Sequence, residues 1–207
     1  MTVSMVEQTI DVDVPLRNAY NQWTQFEDFP NFMEGVEEVR QVDARHCHWR
    51  TKVAGVRREF DTEIVDQLPD ERIAWRTVGG DVKQKGVVTF QRLDPDHTRV
   101  RLAMDVEPEG MTEKAGDALG FLDRRVKGDL KRFKGFIEEH GHETGQWRGR
   151  ISPSGEMSSG GTSPGGMPPG GRQDGGAMGG GTTGGAGSRP APDTWGLPPE
   201  PGEPGMR

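Results

Sequence analysis

The sequence predicts an α+β domain over residues 1–150, an antiparallel sheet curved around a long C-terminal helix, followed by a disordered Gly/Pro-rich tail over 151–207. Three observations predict it. Apolar and polar residues alternate with period two in several segments between Val6 and Val106; after Pro108-Glu109-Gly110 the period becomes 3.6 and holds for about 28 residues; and the composition breaks near Ile151.

The break sets the domain plan. Of the 31 glycines, 18 lie between Ser152 and Arg207, as do 10 of the 15 prolines. Trp195 and Leu197 are the only aromatic or branched aliphatic residues there, so burial cannot offset the entropy of ordering that backbone. The remaining domain, of roughly 150 residues, holds one core and not two. A net charge of -7 with no basic stripe argues against nucleic acid as a partner. The N-terminus lacks a basic segment before an apolar run, and no stretch approaches the eighteen or so apolar residues of a membrane span, so the expectation is a cytoplasmic protein without stable membrane insertion. With Cys47 as the only cysteine, no internal disulfide forms.

Val6, Gln8, Ile10, Val12 and Val14 alternate against Glu7, Thr9, Asp11 and Asp13 as a half-buried first strand. Asp13 and Pro15 are a helix-start signal, after which Leu16, Ala19, Tyr20 and Trp23 recur at helical spacing. One more helical turn is expected over Asp28 to Met33. Strands at about Cys47–Val53 and Val56–Val65 are joined by a tight turn at Gly55-Val56, a register that sets Lys52, Arg50 and His48 against Glu59, Asp61 and Glu63. The opposite face then carries Trp49, Thr51 and Val53 with Phe60, Thr62 and Ile64, and a one-residue slip would bury the charges. Pro69-Asp70 makes the next turn, placing Glu63 opposite Arg76 and Ile64 opposite Trp75. Two further strands follow at about Gly86–Leu93, with Val88 and Phe90 inward, and at Thr98–Val106, with Val100, Leu102, Met104 and Val106 inward.

Ala115, Leu119, Leu122, Val126, Leu130, Phe133 and Ile137 trace one stripe of the long helix. Glycines 120, 128 and 135 fall on its other side, and Gly141 stands at the C′ position that ends it.

Several segments carry a resemblance: Phe26-Glu27-Asp28-Phe29-Pro30-Asn31-Phe32-Met33, His48-Trp49, Glu71-Arg72-Ile73-Ala74-Trp75, Gly86-Val87-Val88-Thr89-Phe90, Arg132-Phe133-Lys134-Gly135-Phe136-Ile137-Glu138 and Gly145-Gln146-Trp147-Arg148-Gly149. With the order strand, two short helices, antiparallel strands and one long helix, residues of about 3 to 150 resemble the START-like helix-grip (SRPBCC) superfamily, in its polyketide cyclase/dehydrase and coenzyme-Q-binding branch. None of these segments is a catalytic signature. The resemblance implies a deep cavity between sheet and helix, used by members for sterols, lipids, quinones or polyketides.

The expected walls are Trp49, Thr51, Phe60, Thr62, Trp75, Thr77, Phe90 and Met104 from the sheet, with Leu119, Leu122, Arg125 and Val126 from the helix. Phe29, Phe32 and Met33 sit where members of the family place a gate. The competing reading is that these side chains fill an ordinary core. The threonines are the polar exceptions, suited to orienting a carbonyl or hydroxyl, and Arg125 is placed to meet a carboxylate. Catalysis asks for a titratable group near the reacting atom, and the inward rows supply none, with His46 and His48 outward and Tyr20 in the core. No catalytic residue, cofactor or metal site is therefore assigned; His46-Cys47-His48 and His140-Gly141-His142 lack further zinc ligands at the required spacing. In the tail, Thr194-Trp195-Gly196-Leu197-Pro198-Pro199 is a candidate for a weak protein contact, against the simpler reading of a solubilising segment. The expected function is binding of a hydrophobic or aromatic small molecule, lipid, quinone or polyketide-like, as carrier or sensor. The alternatives are a polyketide cyclase/dehydratase-type enzyme and a protein-interaction module with a collapsed pocket.

Overall fold

A computed structural model describes residues 4–53, 55–107 and 115–158, with the backbone alone for residues 4 and 115–119. The expectations for Leu119 as a lining residue and for the tail beyond residue 158 lie outside that description.

Strands β1 (Ser4–Val12), β2 (Val36–Gln41), β3 (His46–Val53), β4 (Val56–Leu68), β5 (Arg72–Gly80), β6 (Lys83–Arg92) and β7 (Thr98–Glu107) form one antiparallel sheet in the order β1-β7-β6-β5-β4-β3-β2. Helix α1 (Leu16–Trp23), a 3-10 helix (Phe26–Asn31) and the long α2 (Ala115–His140) supply the helical side. The alternation of β1 puts Val6 and Val12 in the core, and Gln8 on the same row donates to Asp123 of α2 at 2.5 Å.

β1 stops at Val12, and Pro15, with φ fixed near its helical value, accepts the first amides of α1 from Asn18 and Ala19. Ala19, Tyr20 and Trp23 bury the apolar face of α1. Asn21 and Gln22 are buried too, because Glu143, Thr144 and Gln146 of the C-terminal segment satisfy their amides. Along α2, Val126, Leu130, Phe133 and Ile137 are buried, and Trp23 and Phe32 set their rings edge-on to Phe133. Gly141, at φ +67, receives the closing bond of α2 by donating to the Ile137 carbonyl, as its expected C′ role requires.

The β4–β5 register agrees with expectation at Glu63–Arg76 and Ile64–Trp75. The β3–β4 register differs by two residues: His48 faces Asp61, Arg50 faces Glu59 and Lys52 faces Arg57. Val53 pairs with Val56, so Val56 belongs to β4 and not to the turn. Gly55 has φ +83, the left-handed geometry that matches a two-residue loop to the twist of its strands. A shift of two preserves which face each side chain occupies. The outward ladder therefore survives with new partners, Arg50 to Glu59 and Glu38 and His48 to Asp61.

Strand β2 was not foreseen. The other late addition is β8 (Arg150–Ile151), which pairs Ile151 with Gln67 on β4 and in turn carries β9 (Met157–Ser158). Ile151 is fully buried, so the folded chain runs past residue 150. No helix among the described residues is long and apolar enough to cross a membrane.

Candidate functional site: a cavity between sheet and helix

The concave rows of β3 to β7 and the face of α2 enclose a cavity of about 240 Å³, slightly below the roughly 300–1,000 Å³ common for small-molecule sites. Of the side chains expected to line it, Phe29, Met33, Trp49, Thr51, Phe60, Thr62, Trp75, Met104, Leu122, Arg125 and Val126 do so. Trp49 and Phe60, cross-strand neighbours, stack with planes 4° apart and centroids at 5.9 Å. The Trp49 indole N–H donates to Thr62 Oγ1 at 2.8 Å, which orients the ring and occupies one of that hydroxyl's two acceptor positions. Phe29 of the 3-10 helix meets Trp49 edge-on at 5.7 Å.

Three expected residues stand elsewhere. Phe32 is buried against Phe29, Phe133 and Phe136. Phe90 packs on Tyr20 and Trp23, because α1 covers its end of the sheet. Thr77 spends its hydroxyl on the backbone N–H and carbonyl of Gln84 across the β5–β6 hairpin.

The segment after the 3-10 helix is tied to α2 by three side chains spaced along it. Arg125 donates to the Glu34 carbonyl, the Asp129 carboxylate accepts the Glu34 N–H at 2.9 Å, and Arg132 donates to the Phe32 carbonyl at 3.0 Å. Arg132 also reaches Asp129 Oδ1 at 2.5 Å and Glu34 Oε2 at 3.2 Å. Gly35, at φ +74, lies between the Arg125 guanidinium and the Lys52 carbonyl, where a β-carbon would stand 2.5 Å from each. This close approach brings the gate segment against β3.

Two charged lining groups, Arg58 and Asp129, are additions to the expected set. Arg58 shares the inward row of β4 with Phe60 and Thr62, which corrects the expectation that the inward rows hold no titratable group. Its parity with Phe60 was the available signal. For Asp129 the signal was its place four residues after Arg125, on the same helix face. Burial raises the Asp129 carboxyl above its ordinary range, outweighing the Glu34 N–H and the attraction of Arg132 and Arg125. Cys47 also lines the cavity, and burial pushes its thiol up to about 12, which keeps it protonated. Burial likewise pushes Tyr20 up to about 12, with its hydroxyl accepting from Gln67 at 2.9 Å. His46 and His48 face outward and pair with Asp43 and Asp61.

The site can thus hold an apolar body against stacked and edge-on aromatic rings, with a few polar groups concentrated on α2 and β4. Residues 12–134 match the model of the family described as polyketide cyclase / dehydrase and lipid transport. An uncharacterized 17.2 kDa protein of Streptomyces lincolnensis is 60% identical over 149 residues, 72% of this chain and 99% of that protein. Among solved structures, the fold is similar to the Zhui aromatase/cyclase of a Streptomyces species, with TM-score 0.57 and 17% identity over 70% of this chain and 99% of that one. It is also similar to a START superfamily protein of Mycobacterium smegmatis, with TM-score 0.56 and 20% identity over 66% of this chain and 98% of that one.

Proposed function

Because the chain belongs to the polyketide cyclase / dehydrase and lipid transport family and has a START-like helix-grip fold, we propose that it binds a hydrophobic or aromatic small molecule in this cavity, as a carrier or sensor. The observation that carries the reading is the lining, in which the packed rings of Phe29, Trp49 and Phe60, together with Trp75 and Met104, border open space that no side chain fills. An open cavity supports ligand binding over a collapsed interaction module.

Native mass spectrometry of the full chain, with organic extraction, tests it. A lipophilic mass held by the parent and absent from Trp75→Ala is expected. Apo protein in both, with no uptake from a panel of quinones, lipids and aromatic polyketides, overturns it.

One observation favours a second reading, an enzyme of the cyclase/dehydratase type. Asp129 is a lining carboxyl whose burial keeps it protonated to higher pH than an exposed aspartate, as a general acid requires. Turnover of a polyketide mimic that Asp129→Asn abolishes supports this reading. Turnover absent from the parent excludes it for that substrate.

A further inference from the structure

We infer that the molecule held in this cavity carries one anionic group, placed at the end where Arg58 and Arg125 meet the lining, with its apolar body extending toward Cys47 and Ile73. The inference rests on the proposed ligand-binding role and adds the chemical class of ligand.

Among the described residues, the charged side chains of the lining are Arg58, Arg125 and Asp129. The carboxylate is already engaged, with Oδ1 taking the Glu34 N–H at 2.9 Å and Arg132, which is not a lining residue, at 2.5 Å. Arg125 Nε stands 3.9 Å from the other carboxylate oxygen, and its one close hydrogen bond goes to the Glu34 carbonyl. Arg58 is half-buried, donates to the Asp81 carbonyl at 3.3 Å and forms no ion pair with a described residue. A guanidinium has five donors, so most donors of both arginines are uncommitted. Arg58, half-buried with no carboxylate partner among the described residues, and Arg125, whose one carboxylate neighbour lies 3.9 Å away and is shared with Arg132, are stabilised by an anion that enters with its own apolar surface.

Both arginines lie at one end. Arg125 flanks Gly35 together with the Lys52 carbonyl, and the neighbouring Thr51 faces Arg58 across the β3–β4 pair. Cys47 is four residues back along β3, roughly 13 Å away at strand rise, on a stretch where the cavity wall is Trp23, Phe26 and Ile73. The lining is therefore cationic at one end and apolar at the other.

Fluorescence titration of the full chain with two probes that share one body tests this: 8-anilinonaphthalene-1-sulfonate and the neutral N-phenyl-1-naphthylamine. The ratio of sulfonate to neutral affinity is expected to fall roughly tenfold in Arg58→Gln. Arg125→Lys, which keeps the charge, retains most of the ratio, and Lys131→Gln on the exposed side of α2 does not change it. Both probes binding with the same ratio in parent and Arg58→Gln overturns the inference while leaving the cavity reading intact. Neither probe binding overturns both. Displacement of the sulfonate by 2-naphthoate or by laurate separates an aromatic acid from a fatty acid, and the corresponding alcohols displacing as well as the acids overturns the inference.

Discussion

Trp75 and Gly86 face each other across β5 and β6, and the indole occupies the space a side chain on residue 86 would need: a β-carbon there would stand 2.5 Å from Trp75 Cζ2 and 2.9 Å from Cε2. Gly86→Ala therefore drives the ring off its seat and into the cavity. Overpacking of this kind costs about 1–3 kcal/mol. Urea unfolding is expected to show that loss, and ligand uptake is expected to fall in parallel because Trp75 then fills the space it now borders.

Asp129 ties pH to stability. Burial holds its folded pKa above the ordinary aspartate value of the unfolded chain, so the folded state keeps the proton to higher pH than the unfolded chain does. The stability of the native protein is then greatest below that value and declines as pH rises through the window just above it. Asp129→Asn keeps an oxygen for the Glu34 N–H and cannot ionise. Urea midpoints followed from pH 3 to 7 are expected to diverge in the variant's favour with rising pH, and parallel curves would show that the carboxyl does not titrate in that window.

Arg148 reaches the Asp70 carboxylate with two bonds, at 3.0 and 2.5 Å, donates to Asn21 Oδ1 at 2.9 Å and lies 5.7 Å over the Tyr20 ring. It holds the segment that leads to Ile151. Arg148→Lys loses the planar two-bond geometry and is expected to cost about 1–2 kcal/mol, read by thermal denaturation. Amide exchange at Ile151, whose strand β8 this segment positions, is expected to quicken.

Thr62 matters through Trp49. With Thr62→Val the indole N–H loses its acceptor at the cavity wall, at a cost of about 1–3 kcal/mol if it stays buried unpaired. The expected result is a shifted tryptophan emission together with weaker binding of aromatic ligands, which need the ring in its present orientation. Unchanged emission would mean that the stack with Phe60 alone sets the ring.

Much of this fold was legible because a buried face enforces period. The phase of β4 and β5, with Glu63 against Arg76 and Ile64 against Trp75, follows from alternation that a one-residue slip would invert. A slip of two inverts nothing, so alternation alone does not decide the pairing of β3 with β4, which stands two residues from the expected register. Only the turn before Val56, with Gly55 in the left-handed region, decides it. Strand β2 escaped notice because Val39 is its one fully buried residue, among Glu37, Glu38 and Arg40 on an outer strand interrupted by a bulge. Arg58 was hidden by its charge, which reads as solvent-facing although its parity is inward. Asp129 was hidden for another reason, since its partner Glu34 lies 95 residues away in sequence.

The two outermost strands are both engaged from outside the sheet. Lys134 of α2 donates to the Asp11 carbonyl of β1 at 2.8 Å, and Glu138 accepts the Asp13 N–H just beyond it at 2.7 Å. At the other margin Glu27 of the 3-10 helix accepts the Gln41 N–H of β2 at 3.1 Å, and Glu37, Glu38 and Arg40 place charges along the strand. A second chain approaching either margin to extend the sheet would have to displace these side chains and desolvate those charges, so the arrangement disfavours fibrillar self-association even though the sheet itself is long and open.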